Sequence, residues 1–519
     1  MTARLKENQF SKKRFIKMSR PLICLSLTCT TIQENLKLIE QYRPYIDLVE
    51  LRADYLDEDE CLHIRQFPRL ADIPCILTIR RRIDGGQYFG GEAARTMLFA
   101  RAMAFADQNP KNNFTYVDFE DDFHIPSLQD AAQAFGTRII RSFHDMKNPV
   151  NDIIERCDAM RKTGFEIPKI AFQPHSLKDV THLFEATKNF TQYDHILCAM
   201  GELGTPSRIL AYKTHSYLTY CSPKETAANT NAIGHLDPIT LNSIYHFKDL
   251  NEATKIYGIT GYPLPFTSSP ELHNRGYIKN NLNAVYVPIR SPKIADVLEF
   301  CDSVGVEGLS VTIPHKETVL AEIDDIDEKV AEIRASNTLV KKNGRWVGYN
   351  TDASGFAKAL KDFLGVEKLK RRRVAIIGAG GAARAVAYAV KMLGGRACIF
   401  NRTVSNAKMI ADRFGFAYAQ LGPDALYDLE LYSDIIIQTT SVGAGFYGPS
   451  SEKNDPIYFY NFTGNEHIYD IIYSPEITPM MARASAAGCK VSNGYSMLKN
   501  QGYEQFKLFT GVDYGTESE

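Results

Sequence analysis

The chain has 519 residues, 44% of them apolar, and its 60 Lys and Arg against 61 Asp and Glu leave a net charge of −1. That length exceeds what one hydrophobic core supports, so two to four domains are expected, and the balanced charge gives no footing for nucleic acid or an anionic membrane. Ten cysteines run from Cys24 to Cys489 without a CxxC pair, which fits buried thiols in a reducing compartment better than a disulfide frame or a metal site.

The first twenty residues, MTARLKENQFSKKRFIKMSR, are basic but lack the apolar h-region of a secretory signal. They read as a basic tail, residues 1–20, on a cytoplasmic protein; an organellar transit segment, plastid targeting included, is the alternative. No run approaches the roughly 18 consecutive apolar residues of a membrane helix.

From residue 21 to 248, short β-rich runs alternate with longer polar-apolar stretches: LICLSLTC, YIDLVELRAD, PCILTIR, FTYVDFE, TRIIRSFHD, IPKIAFQP, HILCAMG and YLTYCSPK. Such alternation over a length near ~250 residues predicts a (β/α)8 barrel with its reactive groups at the strand C-terminal ends. Lys169 stands in IPKIAFQP beside Ile167, Pro168, Ile170 and Ala171. A lysine buried among such neighbours disfavours its charged form and becomes a nucleophile able to form an imine with a ketone; the alternative for this residue alone is a side chain snorkelling from a strand end. Its company shifts the balance. ELRAD, TIRRR, SFHD and MGELGTPSR each end a predicted strand with ionisable groups, so an amine, an imidazole and several arginines would share one site for an acidic substrate.

On these residues the segment 21–248 resembles type I 3-dehydroquinate dehydratase. The resemblance implies that Lys169 is the Schiff-base lysine and His144 the general acid/base. It also implies that Ser26, Glu50, Arg52 and Arg80 form the substrate pocket and that Arg208 clamps the substrate carboxylate. Asp84 stands where the family commonly has a glutamate orienting the histidine, one methylene shorter. The lid, commonly SAPGQ, here runs from Asn231 to His235, which keeps polar groups at both ends and adds at His235 a ring that titrates near neutral pH.

The second half opens with IYGITGYPLPFTSSPELHNRGY, a Gly/Pro/Ser-rich loop after a short strand, the sort of segment that wraps a ligand or only connects. GLSVTIPHKETV and ASNTLVKKNGRWVGYNTDASGF follow, the latter with an Asn343-Gly344 hairpin turn. In VAIIGAGGAAR a strand feeds Gly378, Ala379, Gly380, Gly381 and Ala382, so backbone amides at a helix N-terminus can meet a pyrophosphate. The next strand ends in Asn401, Arg402 and Thr403 rather than in an acidic residue; Arg402 can pair with a 2′-phosphate, which argues for NADP(H) as cofactor. The nucleotide domain is expected over 355–490. The substrate domain is expected over 249–354, completed by 491–519, where NGYSMLKNQGYEQF reads as a returning helix.

From about residue 255 to 514 this half resembles shikimate dehydrogenase. The family's SKSP loop appears as 267–270, with Thr267 and Ser269 as implied substrate contacts. Thr312, Asn337, Tyr473 and Gln501 match further substrate positions, and Gly494 and Met497 the nicotinamide end. Lys316 and Asp352 match the catalytic pair, a donor held by a carboxylate for the proton that accompanies hydride transfer. The whole chain therefore reads as an α/β protein, a TIM barrel followed by a two-domain half with a Rossmann nucleotide domain. It is expected to dehydrate 3-dehydroquinate and then reduce 3-dehydroshikimate. A quinate or shikimate dehydrogenase behind an inactive barrel and a non-catalytic ligand sensor are the other readings.

Overall fold

Three sheets organise the residues that this computed structural model describes, 20–104, 107–230, 233–264 and 267–515; the tail expected over residues 1–20 thus lies, but for Arg20, outside them. The first sheet has eight parallel strands, β1 (Leu22–Leu27), β2 (Leu48–Arg52), β3 (Cys75–Thr78), β4 (Tyr116–Glu120), β5 (Arg138–Asp145), β6 (Ile167–Phe172), β7 (Ile196–Ala199) and β8 (Leu218–Cys221). They lie in the order β7-β6-β5-β4-β3-β2-β1-β8. The seam between β7 and β8 is joined by Tyr217 N donating to His195 O at 2.6 Å and Leu197 N to Ser216 Oγ at 3.1 Å, which nearly closes a barrel.

The strands read as apolar runs because both faces are covered. Ile23, Leu25, Val49, Leu51 and Ile170 face the helical layer, whereas Leu48, Ile76, Ile140, Ile167, Ile196 and Leu218 fill the interior. With a period of two, the next inward positions are Glu50, Thr78, Ser142, Lys169 and Tyr220. The barrel is therefore apolar at its base and charged one layer up, toward the strand C-termini.

The second sheet is mixed: β9 (Lys255–Gly261), β10 (Ala284–Arg290), β11 (Val306–Val311), β12 (Asp325–Ile326), β13 (Thr338–Lys342) and β14 (Arg345–Tyr349), in the order β10-β9-β11-β13-β14-β12. Asn343 and Gly344 both take positive φ, 51° and 80°, in the β13–β14 hairpin, as the Asn-Gly pair predicts. The third sheet is parallel: β15 (Arg373–Ile377), β16 (Arg396–Asn401), β17 (Ala417–Gln420), β18 (Ile435–Gln438), β19 (His467–Asp470) and β20 (Lys490–Ser492). Its order, β17-β16-β15-β18-β19-β20, is the doubly wound one, with a ligand crevice where the winding reverses beside β15.

The helix Tyr495–Thr510 returns to the second sheet, where Phe506 and Phe509 pack with Tyr257, Tyr277 and Tyr286. Barrel and second half share an apolar seam: Phe184 on the helix Leu177–Thr187 meets Phe300 on the helix Ile294–Val304 edge to face at 5.5 Å. Among the described residues no helix is long and apolar enough to cross a membrane.

Candidate active sites

Glu50, Arg52, Arg80, Asp84, His144, Lys169, Arg208 and His235 surround one cavity at the C-terminal end of the barrel. Ser26 lies beneath it. Its Oγ donates to Glu50 Oε2 at 2.7 Å while Thr78 Oγ1 donates to Oε1 at 2.9 Å, so Ser26 bears on the cavity by aiming Glu50. Asn231 lies outside the described residues.

The amine of Lys169 is 2.9 Å from Asp118 Oδ2 and 3.8 Å from Glu50 Oε1, and it sits 4.4 Å from the centre of the Tyr220 ring. Asp118 Oδ2 is also 2.7 Å from Arg80 Nη2; Arg80 Nη1 reaches Glu120 Oε1 at 2.7 Å, and Glu120 Oε2 meets the buried Arg95 at 2.7 Å. The expected company of ionisable groups is there, and it includes acids that the motifs did not name. Ile170 points the other way, and the inward company of Lys169 is cross-strand and acidic. Asp118 and Glu120 escaped the sequence reading, although two acids spaced i, i+2 in the buried run YVDFE are a signal of an inward charged face.

His144 has no partner at Nδ1. Burial, then the charges of Arg80 and Lys169, hold its pKa well below the ordinary 6.5, so the ring is a neutral base. Asp84 does not orient it. That carboxylate is paired with Arg81 Nε at 2.7 Å, and Arg81 bridges on to Asp122 at 2.9 Å; the shorter side chain is captured by its neighbour. Arg52 is matched by Asp54 through two bonds of 2.9 and 2.8 Å. Arg208, by contrast, is buried with Nε and Nη1 unpartnered and only the carbonyl of Ile233 on Nη2. Among the described residues it is the cavity's uncompensated cation, which is costly unless an anion arrives.

His235 stacks on Tyr220, centroids 6.2 Å apart and planes 7° from parallel, with Nδ1 2.6 Å from Ser222 Oγ. Burial, followed by the charges of Arg208, Arg52 and Lys169, keeps its pKa well below 6.5. The expected titration near neutral pH is thereby overturned.

In the second half Lys316 Nζ donates to Asp352 Oδ2 at 2.5 Å. Asn337, nearly inaccessible to solvent, is the hub: its Nδ2 donates to Asp352 Oδ1 at 2.9 Å, Thr351 Oγ1 at 2.9 Å and Gln501 Oε1 at 3.3 Å, while its Oδ1 accepts from Thr351 N at 2.8 Å. Thr267 Oγ1 donates to Ser269 Oγ at 3.2 Å at the start of the helix Ser269–Lys279. Thr312 follows β11, with its N bonded to Thr260 O at 2.9 Å, and Tyr473 lies half-buried after β19. Ser310 is engaged by Tyr286 OH at 2.6 Å and Gln505 Oε1 at 2.9 Å, two partners that no motif signalled.

The nucleotide loop leaves β15 with Gly378 at φ 114°, where a Cβ would lie 2.5 Å from Thr439 Oγ1. Gly380 caps the helix Gly381–Met392, and a Cβ there would meet nothing within 4 Å. Open space over helical amides is what a pyrophosphate needs; Ala379 and Ala382 keep the same loop small. Asn401 Nδ2 closes a turn onto Thr403 O at 3.0 Å, and Arg402 is exposed beside it. Gly494 approaches Ile471 O so closely that a Cβ would lie 2.0 Å away, and Met497 is buried in the nucleotide-lobe core. A Cβ on Gly381 would come within 2.9 Å of Lys316 Cβ, and Arg384 Nη2 pairs with Glu317 Oε2 at 2.9 Å, so the nucleotide loop touches the segment carrying the second-site lysine. Among the described residues no cluster of three or more His, Cys, Asp or Glu could hold a metal ion.

Residues 23–252 match the model of type I 3-dehydroquinase, 259–339 that of the shikimate dehydrogenase substrate binding domain, and 359–445 that of shikimate / quinate 5-dehydrogenase. The chain is 31% identical over 518 residues to the bifunctional 3-dehydroquinate dehydratase/shikimate dehydrogenase, chloroplastic, of Arabidopsis thaliana, covering 95% of this chain and 82% of that protein. It is 36% identical over 259 residues to the shikimate dehydrogenase (NADP(+)) of Pyrococcus abyssi, covering 50% of this chain and 93% of that one. A crystal structure of shikimate 5-dehydrogenase from Thermus thermophilus with NADP(H) and shikimate matches with 29% identity and a TM-score of 0.43, over 50% of this chain and 95% of that one.

Proposed function

The chain belongs to the bifunctional 3-dehydroquinate dehydratase/shikimate dehydrogenase family, and on that premise we propose how its own residues carry the two reactions. It is a shikimate-pathway enzyme, a lyase in its barrel and an oxidoreductase in its second half. We divide it at residues 21–248, 249–354 with 491–519, and 355–490.

In the barrel, Arg208 takes the substrate carboxylate, and Lys169 adds to the ketone to form an imine. The iminium draws electrons from the neighbouring C–H bond, and His144, neutral at working pH, accepts that proton and returns it to the departing hydroxyl. Glu50, Arg52, Arg80 and His235 shape the pocket around the ring hydroxyls, with Ser26 behind Glu50, Asp84 at the rim and Asn231 in the lid. The observation that supports this best is the unpaired, buried Arg208 facing the same cavity as a lysine and a neutral histidine.

In the second half, Thr267, Ser269, Thr312, Asn337, Tyr473 and Gln501 hold the acid. Lys316 and Asp352 deliver the proton to the alkoxide that forms when the carbonyl is reduced. NADPH, when bound, supplies the hydride. The amides from Gly378 to Ala382 would hold its pyrophosphate, Asn401, Arg402 and Thr403 its 2′-phosphate, and Gly494 and Met497 its nicotinamide end. The glycine cradle and the NADP(+) dependence of the Pyrococcus relative support that cofactor. Partners are small molecules, 3-dehydroquinate and 3-dehydroshikimate. We propose a cytoplasmic address, with the plastid of the Arabidopsis relative as the competing one.

Purified protein tests both sites at once. 3-Dehydroquinate alone should generate enone absorbance, and NADPH should then be consumed. Lys169→Ala should abolish the first signal by about four orders of magnitude and leave dehydroshikimate reduction intact, while Lys316→Ala should lower the second by about 10²–10⁴-fold and spare the first. Full dehydratase activity in Lys169→Ala would defeat the imine reading.

A further inference from the structure

We infer that Asp118 is a catalytic residue of the dehydratase, the fixed counter-ion of the iminium formed on Lys169. This rests on the imine reading above and goes beyond it, because the only carboxylate that the motifs place near the nitrogen is Glu50, at 3.8 Å.

The geometry is specific. Asp118 Oδ2 lies 2.9 Å from Lys169 Nζ and 2.7 Å from Arg80 Nη2, while Asp118 Oδ1 accepts from Ser142 Oγ at 2.5 Å. Its side chain has no solvent access. Three carboxylates, Glu50, Asp118 and Glu120, alternate here with three cations, Arg80, Arg95 and Lys169. Burial alone would raise the Asp118 carboxyl, yet the charges of Arg80 and Lys169 outweigh it and hold the group well below the carboxylate range. Asp118 thus stays anionic and is not itself the base. Glu50 is the next carboxylate to the nitrogen, at 3.8 Å, and its two oxygens already accept from Ser26 and Thr78.

The reaction makes two opposed demands on that nitrogen. It must be neutral to attack the ketone, and cationic afterwards to act as an electron sink. A carboxylate owned by the lysine alone would oppose the first. Sharing Oδ2 with Arg80 resolves this: when the amine gives up its proton, Asp118 remains paired with Arg80 and bonded to Ser142, so no buried charge is stranded. Nitrogen then bonds to carbon as the carbonyl pair moves to oxygen; that oxygen takes two of the three protons the ammonium began with, the one given up before attack and one lost from nitrogen after it, and leaves as water. The nitrogen pair closes the C=N bond, and the resulting positive charge appears where the ammonium had been. Asp118 is already in place to stabilise it, without reorganisation. When the α-proton passes to His144, the C–H pair neutralises the nitrogen as an enamine. Expulsion of the hydroxyl, with the proton from His144, restores the cation beside the same oxygen, and water finally releases the product and the amine.

The test uses the full chain, with dehydroshikimate reduction by NADPH as the folding control. Asp118→Asn should lower dehydratase kcat by about 100-fold, in the range seen on removing one preorganised electrostatic partner, and should cut the fraction of Lys169 trapped by borohydride during turnover. Asp118→Glu should recover part of both. Glu120→Gln removes the other carboxylate from Arg80 without touching the amine, and should leave kcat and trapping within a few-fold of native. Equal losses in Asp118→Asn and Glu120→Gln, or full trapping in Asp118→Asn, would reduce Asp118 to a prop for Arg80 and overturn the inference. Native protein that borohydride fails to label at Lys169 would instead sink the imine reading on which it stands.

Discussion

Lys169 and Lys316 each sit against an aspartate, yet the two pairs are built differently. The Lys169 pair is embedded in a chain of alternating charges that runs from Arg95 to Glu50 across neighbouring barrel strands. The Lys316 pair stands alone. The second oxygen of Asp352 is satisfied by a neutral amide, Asn337, which also gathers Thr351 and Gln501 from distant segments. The difference follows the chemistry. A nitrogen that must become cationic after bonding to carbon gains from a standing anion, whereas a lysine that only passes a proton gains from one carboxylate whose charge is not spoken for elsewhere. Architecture follows too: adjacent parallel strands deliver charges in register, while the polar hub draws the loop before helix Asp352–Leu364 and the returning helix Tyr495–Thr510 together within one domain.

The charge-dense barrel makes the largest prediction. Arg208→Ala should lower kcat/KM for 3-dehydroquinate by roughly 30- to 1,000-fold, the range for losing one member of a buried, hydrogen-bonded charge pair, with dehydrogenase kinetics unchanged. If Arg208 were a structural cation, binding would be spared and thermal stability lost instead. A smaller effect belongs to the second half, where the exposed Arg402 faces solvent. Arg402→Ala should raise KM for NADPH by about 10- to 100-fold and leave KM for NADH alone, as expected for charge-assisted bonds to a phosphate. A proportional loss for both cofactors would place the 2′-phosphate elsewhere.

Much of the architecture was legible because two periods do not mimic each other. The eight runs from LICLSLTC to YLTYCSPK coincide with β1–β8, since strands covered on both faces read as short apolar blocks, and the glycines around Gly378 declared the first turn of the third sheet. What could not be read was the partner of each charge. Asp118 is 51 residues from Lys169, and only register brings them together. Asp84 looked like a shortened orienter for His144, but its capture by Arg81, three residues away, depends on a loop conformation that composition does not encode. Asn337 was named as a substrate position, but the groups it satisfies, and the part played by Gln505, emerge only from packing.

His235 carries the smallest expected effect and the sharpest view of how the barrel's charge controls its titration. A histidine in place of the family's usual glutamine invites a second ionisation in the dehydratase pH profile, but the cavity does not permit it. Burial disfavours the imidazolium, and the charges of Arg208, Arg52 and Lys169 add repulsion. The same logic governs His144, lowered by burial, Arg80 and Lys169. For both rings a depressed pKa means that the neutral form persists as pH falls through 6.5 and is lost only well below it. The acid limb of dehydratase kcat should therefore lie below 6.5 and belong to His144. His235→Gln should keep the hydrogen bond to Ser222, change kcat/KM by no more than about 3-fold, as for one neutral hydrogen bond exchanged for another, and leave the limb where it was. Movement of the limb in His235→Gln would mean that His235 titrates, and that the cations around it are weaker in solution than their burial implies.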